Sequence, residues 1–266
     1  MAVSQLKAGA FLNYVVILLN LAVGLLYTPY MLRMMGQSEY GLYSLVASVI
    51  SYLTVLDLGM GNATIRYTAK FRAEGKKKEQ YEMFGMFLVI YLFIGIIAVI
   101  AGLGLYFNVD NMFGATMTPI ELYHARIMML ILVFNLAVSF PMSIFGSIIT
   151  AYERFVFPKV VNIVRIILNT AIMVVLLSMG YKAIAMVVLS TAFNVITLII
   201  NYVYCKRKLH IEIHWGHFEW GFIREVAIYS FWILLNVLMD RIYWSTGQFV
   251  LGAVSGTIAV SIFAVA

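Results

Sequence analysis

Five ionisable side chains stand in stretches that are otherwise almost wholly apolar: Asp57, Arg66, Arg165, Asp240 and Arg241. A charge near the centre of a bilayer costs at least about 2.5–3.5 kcal/mol on insertion scales, so such groups face a cavity or a partner. A guanidinium matches phosphate oxygens two at a time, so Arg66, Arg165 and Arg241 could hold a phosphate or pyrophosphate. Asp57 and Asp240 could pair with those arginines, or bind a coupling proton or sodium ion. A fixed Asp–Arg pair between helices is the plainer alternative.

Uncharged polar residues fall into helical stripes around these groups. Asn13 and Asn20 are one stripe. Asn162, Arg165 and Asn169 follow i, i+3, i+7, and Ser190, Asn194, Thr197 and Asn201 follow i, i+4, i+7, i+11. Asn236, Asp240, Tyr243 and Gly247 keep the same rhythm. Such spacing places each set on one helix face. Each face is either glue between packed helices or the wall of a shared cavity. Asp240 and Arg241 are adjacent, so only one shares the Asn236 stripe, and Asp240 has the right phase.

The elements that must carry these stripes follow from composition. The 266 residues are 63% hydrophobic and 11% charged, whereas soluble domains are about 25% charged. Only lipid can solvate that much apolar surface. The spacing predicts an all-α polytopic membrane protein with helices over about 9–32, 41–67, 83–107, 122–152, 158–179 and 183–205. A seventh runs over about 223–249 and an eighth begins near 258. Residues 1–206 then form a six-helix lobe, 207–222 an interfacial loop, and 223–266 the start of a second lobe. The helix over 83–107 has almost no polar stripe, which suits a lipid-facing position.

Basic residues fix the orientation expected. With the N-terminus cytoplasmic, Lys7, Arg66, Lys70, Arg72, Lys76, Lys77, Lys78, Arg154, Lys159, Lys206, Arg207, Lys208 and Arg224 all flank the inner side. The outer side receives only Arg33, Arg126 and Lys182, as the positive-inside rule requires. The net charge of +6 is therefore topological, and no nucleic-acid partner is expected. The single Cys205 can form no internal disulfide.

Ile17-Leu18-Leu19-Asn20 recurs as Ile233-Leu234-Leu235-Asn236, and the same offset pairs Tyr27 with Tyr243 and Gly36 with Gly252. Six spans separate the copies, so the repeat is parallel, as in transporters whose site lies between two halves. His210, His214 and His217 could suggest a metal, but "LHIEIHWGHFEW" alternates apolar and polar residues and reads as an interfacial segment with tryptophan anchors. No phosphate-cradling glycine loop or nucleophile elbow is present, and the short outer loops leave little room for a membrane glycosyltransferase or polymerase.

Three stretches carry a resemblance: "LKAGAFLNYVVILLNLAVGLLYTPYMLRMMGQSEYGLYSLVASV", "LDLGMGNATIRYTAKFRA" and "YSFWILLNVLMDRIYWSTGQFVLGAVSG" with "SIFAVA". The chain resembles the Wzx-like oligosaccharide flippases of the multidrug/oligosaccharidyl-lipid/polysaccharide exporter superfamily. The resemblance implies two six-helix lobes around a central cavity, in a bacterial inner membrane. This chain would then be an N-terminal fragment, stopping after about seven and a half helices. It also implies flipping of a polyprenyl-pyrophosphate-linked oligosaccharide by alternating access, without catalysis or cofactor, beside polysaccharide assembly proteins. Asp57 and Arg66 fall in the family's second-helix pattern and Asp240 in its seventh. A drug/cation antiporter or a lipid II flippase of the same superfamily is the nearest alternative.

Overall fold

A computed structural model describes residues 2–215 and 220–265. The described residues are helical with no strand: α1 Ala2–Met35, α2 Gln37–Leu53, α3 Met60–Ala73, α4 Lys77–Phe113, α5 Pro119–Ala151, α6 Val156–Ser178, α7 Ala183–Lys208 and α8 Trp220–Val265. Eight helical stretches, two of them within α8, are long and apolar enough to cross a membrane. In lipid a backbone must satisfy its own hydrogen bonds, and the helix does so within one segment. Leucine, isoleucine and valine runs with few glycines supply the rest. The protein is a multi-pass membrane protein.

The helices outrun the apolar runs at several ends. The first begins at Ala2 rather than near 9, and the third covers Lys77–Phe113 rather than 83–107. Polar flanks extend a helix through the interface once its apolar centre is formed. At the start of α5, Thr118 accepts from the Glu121 amide while the Glu121 side chain accepts from the Thr118 amide, and Pro119 follows the cap. This capping box fixes where α5 begins.

The expected single helix over 41–67 is broken. A short 3₁₀ turn over Thr54–Asp57 ends α2, Leu58 and Gly59 both take left-handed conformations (φ 52° and 70°), and α3 starts at Met60. Apolar periodicity runs through the break without registering it, although Asp57-Leu58-Gly59-Met60-Gly61 held the signal. The break lies between two buried clusters, and Leu56 packs against both. One contains Leu42, Leu45, Val49, Phe113 and Met128; the other, nearer the lysine-rich end, contains Tyr67, Phe84, Phe87, Tyr91 and Ile148.

The helix without a polar stripe is not simply lipid-facing. Phe84, Phe87 and Tyr91 of α4 are fully buried, while Phe93, Ile96, Ile100 and Phe107 are exposed. Lipid and core demand the same apolar side chains, so composition could not separate the two faces.

The α8 helix continues past 249 and is interrupted only at Gly256 (φ 79°, ψ −174°). The chain turns back there, because the Phe263 ring comes against Gly247. Gly36, between α1 and α2, has nearly the same conformation (φ 85°, ψ 160°). Both are φ values that only glycine holds without strain. The structural counterpart of Gly36 is thus Gly256, one helical turn beyond the Gly252 that the sequence offset pairs with it. Gly252 instead gives α8 room to pack on Leu45 of α2.

Candidate functional site

A polar track runs along the seam between α1 and α6. Near the lysine-rich end, Lys159 Nζ donates to Asn13 Oδ1 at 2.6 Å. Farther along, Arg165 Nη2 donates to Asn162 Oδ1 at 2.9 Å. Beyond that lies a cavity of about 280 Å³, whose lining includes Asn20, Arg165, Asn169, Thr170 and Ser190. Asn169 Oδ1 is buried there without a hydrogen-bond partner. Three helices supply these groups. The stripe of α6 faces the stripe of α1, and α7 closes the pocket with Ser190 and Phe193.

The electrostatics are one-sided. Among the described residues neither Lys159 nor Arg165 has a carboxylate within ion-pair distance; the ion pairs present are Glu74–Lys76, Lys78–Glu82, Glu39–His124, Asp110–Arg126 and Glu212–His214. A half-buried guanidinium beside amides and hydroxyls, with no acid in reach, favours an anion over a cation as its neighbour. Burial strengthens that preference, because water screens the charge less.

The remaining candidates are placed elsewhere. Asp57 sits at the break before α3, where the amides of Gly59 and Gly61 face its carboxylate, and the buried Tyr91 hydroxyl lies between it and Ser143. A carboxylate there lies near the positive end of a helix, which favours its charge, although Gly59 is the N-cap of α3 and no side chain caps it. Arg66 stacks on Tyr229 of α8, 4.6 Å from the ring centroid, and lies 5.6 Å from that of Tyr67. Phe222 packs edge-on against Tyr67 at 4.9 Å, so this cluster fastens the start of α8 to α3.

The α7 stripe divides. Ser190 reaches the pocket. Asn194 Nδ2 donates to Asn135 Oδ1 at 2.7 Å and to Ser139 Oγ at 2.8 Å, both on α5. Thr197 bonds its own helix at Phe193, and Asn201 packs beside Gly146 of α5. Asn236 donates to the Trp232 carbonyl on the exposed face of α8, which also carries Asp240 and Tyr243. Arg241's side chain and His217 lie outside the described residues. Lys159 belongs to the track although its position marks it as a topological flank; it precedes Asn162 by the stripe's own interval of three, which is the signal that finds it.

The histidine segment is structural where described. His214 donates its backbone N–H to the Tyr81 carbonyl at 3.2 Å and its ring meets Glu212 at 3.1 Å. Among the described residues no cluster could hold a metal ion.

At the end opposite the lysines, α8 is tied to α2 and α5. Ser51 and Ser245 hydroxyls lie 2.8 Å apart, as do those of Tyr52 and Thr246. Thr257 donates to Glu121 at 2.8 Å, Ser38 donates to the same carboxylate, and Thr116 donates to the Gly252 carbonyl at 2.9 Å.

Comparison with known proteins bears on this arrangement. A sequence model described as "polysaccharide biosynthesis protein" matches residues 6–266. Two solved structures share the fold. One, called "protein A", superposes with a TM-score of 0.76 at 17% identity, over 98% of this chain and 59% of its own. The other is a MOP superfamily transporter from Pyrococcus furiosus, described as having a binding pocket of reverse polarity that suggests a different function. Its TM-score is 0.70 at 15% identity, over 99% of this chain and 58% of its own. The chain thus spans just under three-fifths of the length of each. No curated protein matches the sequence.

Proposed function

Starting from the fact that the chain belongs to the polysaccharide biosynthesis protein family, we propose that it takes part in flipping a polyprenyl-pyrophosphate-linked oligosaccharide across a bacterial inner membrane. The lysine-rich end faces the cytoplasm. The pyrophosphate enters from that end, passes Lys159, and is held at Arg165 with Asn20 and Asn169 as further donors. The saccharide crosses with it in the polar space, and the two ends open in alternation. A proton or sodium ion drives the cycle, and the sugar is released to polysaccharide assembly proteins.

One observation carries this reading: among the described residues two cations stand on the α1–α6 track without acidic partners, Lys159 in the first turn of α6 and Arg165 farther into the membrane-spanning segment. A site for a lipophilic cation would need the opposite sign, which disfavours the drug antiporter. A pocket with this charge would serve lipid II equally well, since the phosphates are the same.

The test is export of lipid-linked oligosaccharide by the full-length protein at matched expression. Arg165→Ala should lower flux at least about tenfold, the loss of one charge-assisted contact. Lys77→Ala, at the exposed start of α4, should leave it within about twofold. Equal flux in both variants would remove Arg165 from the path.

A further inference from the structure

A second cavity adjoins the Arg165 pocket. It measures about 350 Å³ and lies between α1 and α6, walled by Leu19, Ala22, Leu26, Tyr27, Tyr30 and Val174. Val23 and Thr170 line both cavities, so the two share a wall. Polarity changes sharply across that wall. On one side stand Arg165, Asn20, Asn169 and Ser190; on the other, aliphatic side chains and two tyrosine rings. We propose that this groove binds the polyprenyl chain of the lipid whose pyrophosphate sits at Arg165. The proposal rests on the functional reading above, and it adds a site for the lipid portion within the first six helices.

Three features select that occupant. The groove is open on the side where Leu26 is 76% exposed, and its rim is a lipid-compatible aliphatic side chain, so a hydrocarbon chain can enter there without crossing a polar barrier. It is poor in polar groups. The Tyr30 hydroxyl is taken up by the Val174 carbonyl at 3.5 Å, and the Tyr27 hydroxyl alone remains buried and unpartnered. A sugar ring carries several hydroxyls and would be left unsatisfied there. The charge next door then decides between lipids. A pocket with an unpaired Arg165, approached past Lys159, favours the more highly charged pyrophosphate over the single charge of a phosphodiester. Along α1 the groove runs from Leu19 to Tyr30, about 16 Å at the helical rise, which accommodates about three isoprene units.

The experiment measures binding to the full chain in nanodiscs of neutral lipid. The probes are inorganic pyrophosphate and prenyl pyrophosphates of one, three and more isoprene units. Affinity should rise with chain length up to about three units and then level off. Ala22→Phe and Val174→Trp add bulk inside the groove at partly exposed positions. Each should reduce the gain from the chain about tenfold while leaving inorganic pyrophosphate binding unchanged, which also shows that the variant is folded. Leu25→Phe, exposed and outside the groove, should behave as wild type. If the groove variants keep the full chain-length gain, the proposal is overturned while the pyrophosphate site stands. Equal competition by phosphatidylglycerol would also overturn it, marking a groove for bulk lipid. A different result, with inorganic pyrophosphate unaffected by Arg165→Ala, would sink the functional reading itself.

Discussion

At the residue scale, the same residue type serves two purposes, and its neighbours decide which. Asn20 and Asn169 border a cavity beside a guanidinium, whereas Asn194 is spent on Asn135 and Ser139. Asn194→Ala should therefore lower thermal stability by about 1 kcal/mol, the usual size of an interhelical polar contact in a membrane, with little change in transport per folded molecule. Asn20→Ala should do the reverse; melting curves and flux measured on the same preparations separate the two. Arg165→Lys keeps the charge and loses the planar fork, so binding of a prenyl pyrophosphate should fall between wild type and Arg165→Ala. Equal binding by Arg165→Lys and wild type would mean that charge alone matters. Arg66 carries a different lesson. Its spacing allowed a phosphate ligand; Tyr229, from a helix more than 160 residues away, stacks on its guanidinium plane, while the side chain stays exposed with its N–H edge free among the described residues.

At the scale of elements, the informative features are interruptions. The break between α2 and α3 places Asp57 against free amides at a helix start, and its geometry depends on Gly59. A Cβ there would suffer a left-handed backbone (φ 70°) and would meet Ile233 Cγ2 of α8 at 2.5 Å. Gly59→Ala should cost at least about 1–2 kcal/mol from the backbone alone, with the clash added, and thermal unfolding in detergent would register it. Gly75→Ala makes a fair comparison. Its φ is also left-handed (72°), but nothing lies within 4 Å of its Cβ position. A drop equal to that of Gly59→Ala would mean that packing against Ile233 contributes nothing. The turns at Gly36 and Gly256 match in conformation, which relates the two helix pairs more directly than the four-residue sequence repeat does.

At the scale of the molecule, α8 is fastened to the first six helices at both ends, by aromatic packing at the lysine-rich end and by hydroxyl pairs at the other. The alternating access we propose would require one of these seams to open in turn. The Ser51–Ser245 pair offers a direct check, since its oxygens are 2.8 Å apart. With Ser51→Cys and Ser245→Cys, oxidation should cross-link the seam and stop transport, and reduction should restore it. The native Cys205, 1% exposed, would not compete. Undiminished transport by the cross-linked protein would show that this seam stays closed through the cycle.

The sequence by itself determined the class of the protein, because a chain 63% hydrophobic with long uncharged runs can satisfy its backbone only as helices in lipid. It also determined the α6 stripe, since 3.6-residue periodicity is local and Asn162, Arg165 and Asn169 must share a face. Tertiary structure decided which stripes meet. Asn13 and Asn20 find Lys159 and Arg165 only because α1 packs on α6, and Asn194 is lost to α5 for the same kind of reason. The buried face of α4 and the break at Asp57 were hidden too. Apolar side chains read alike against lipid or protein, and a chain reversal or break depends on φ angles that composition permits without requiring.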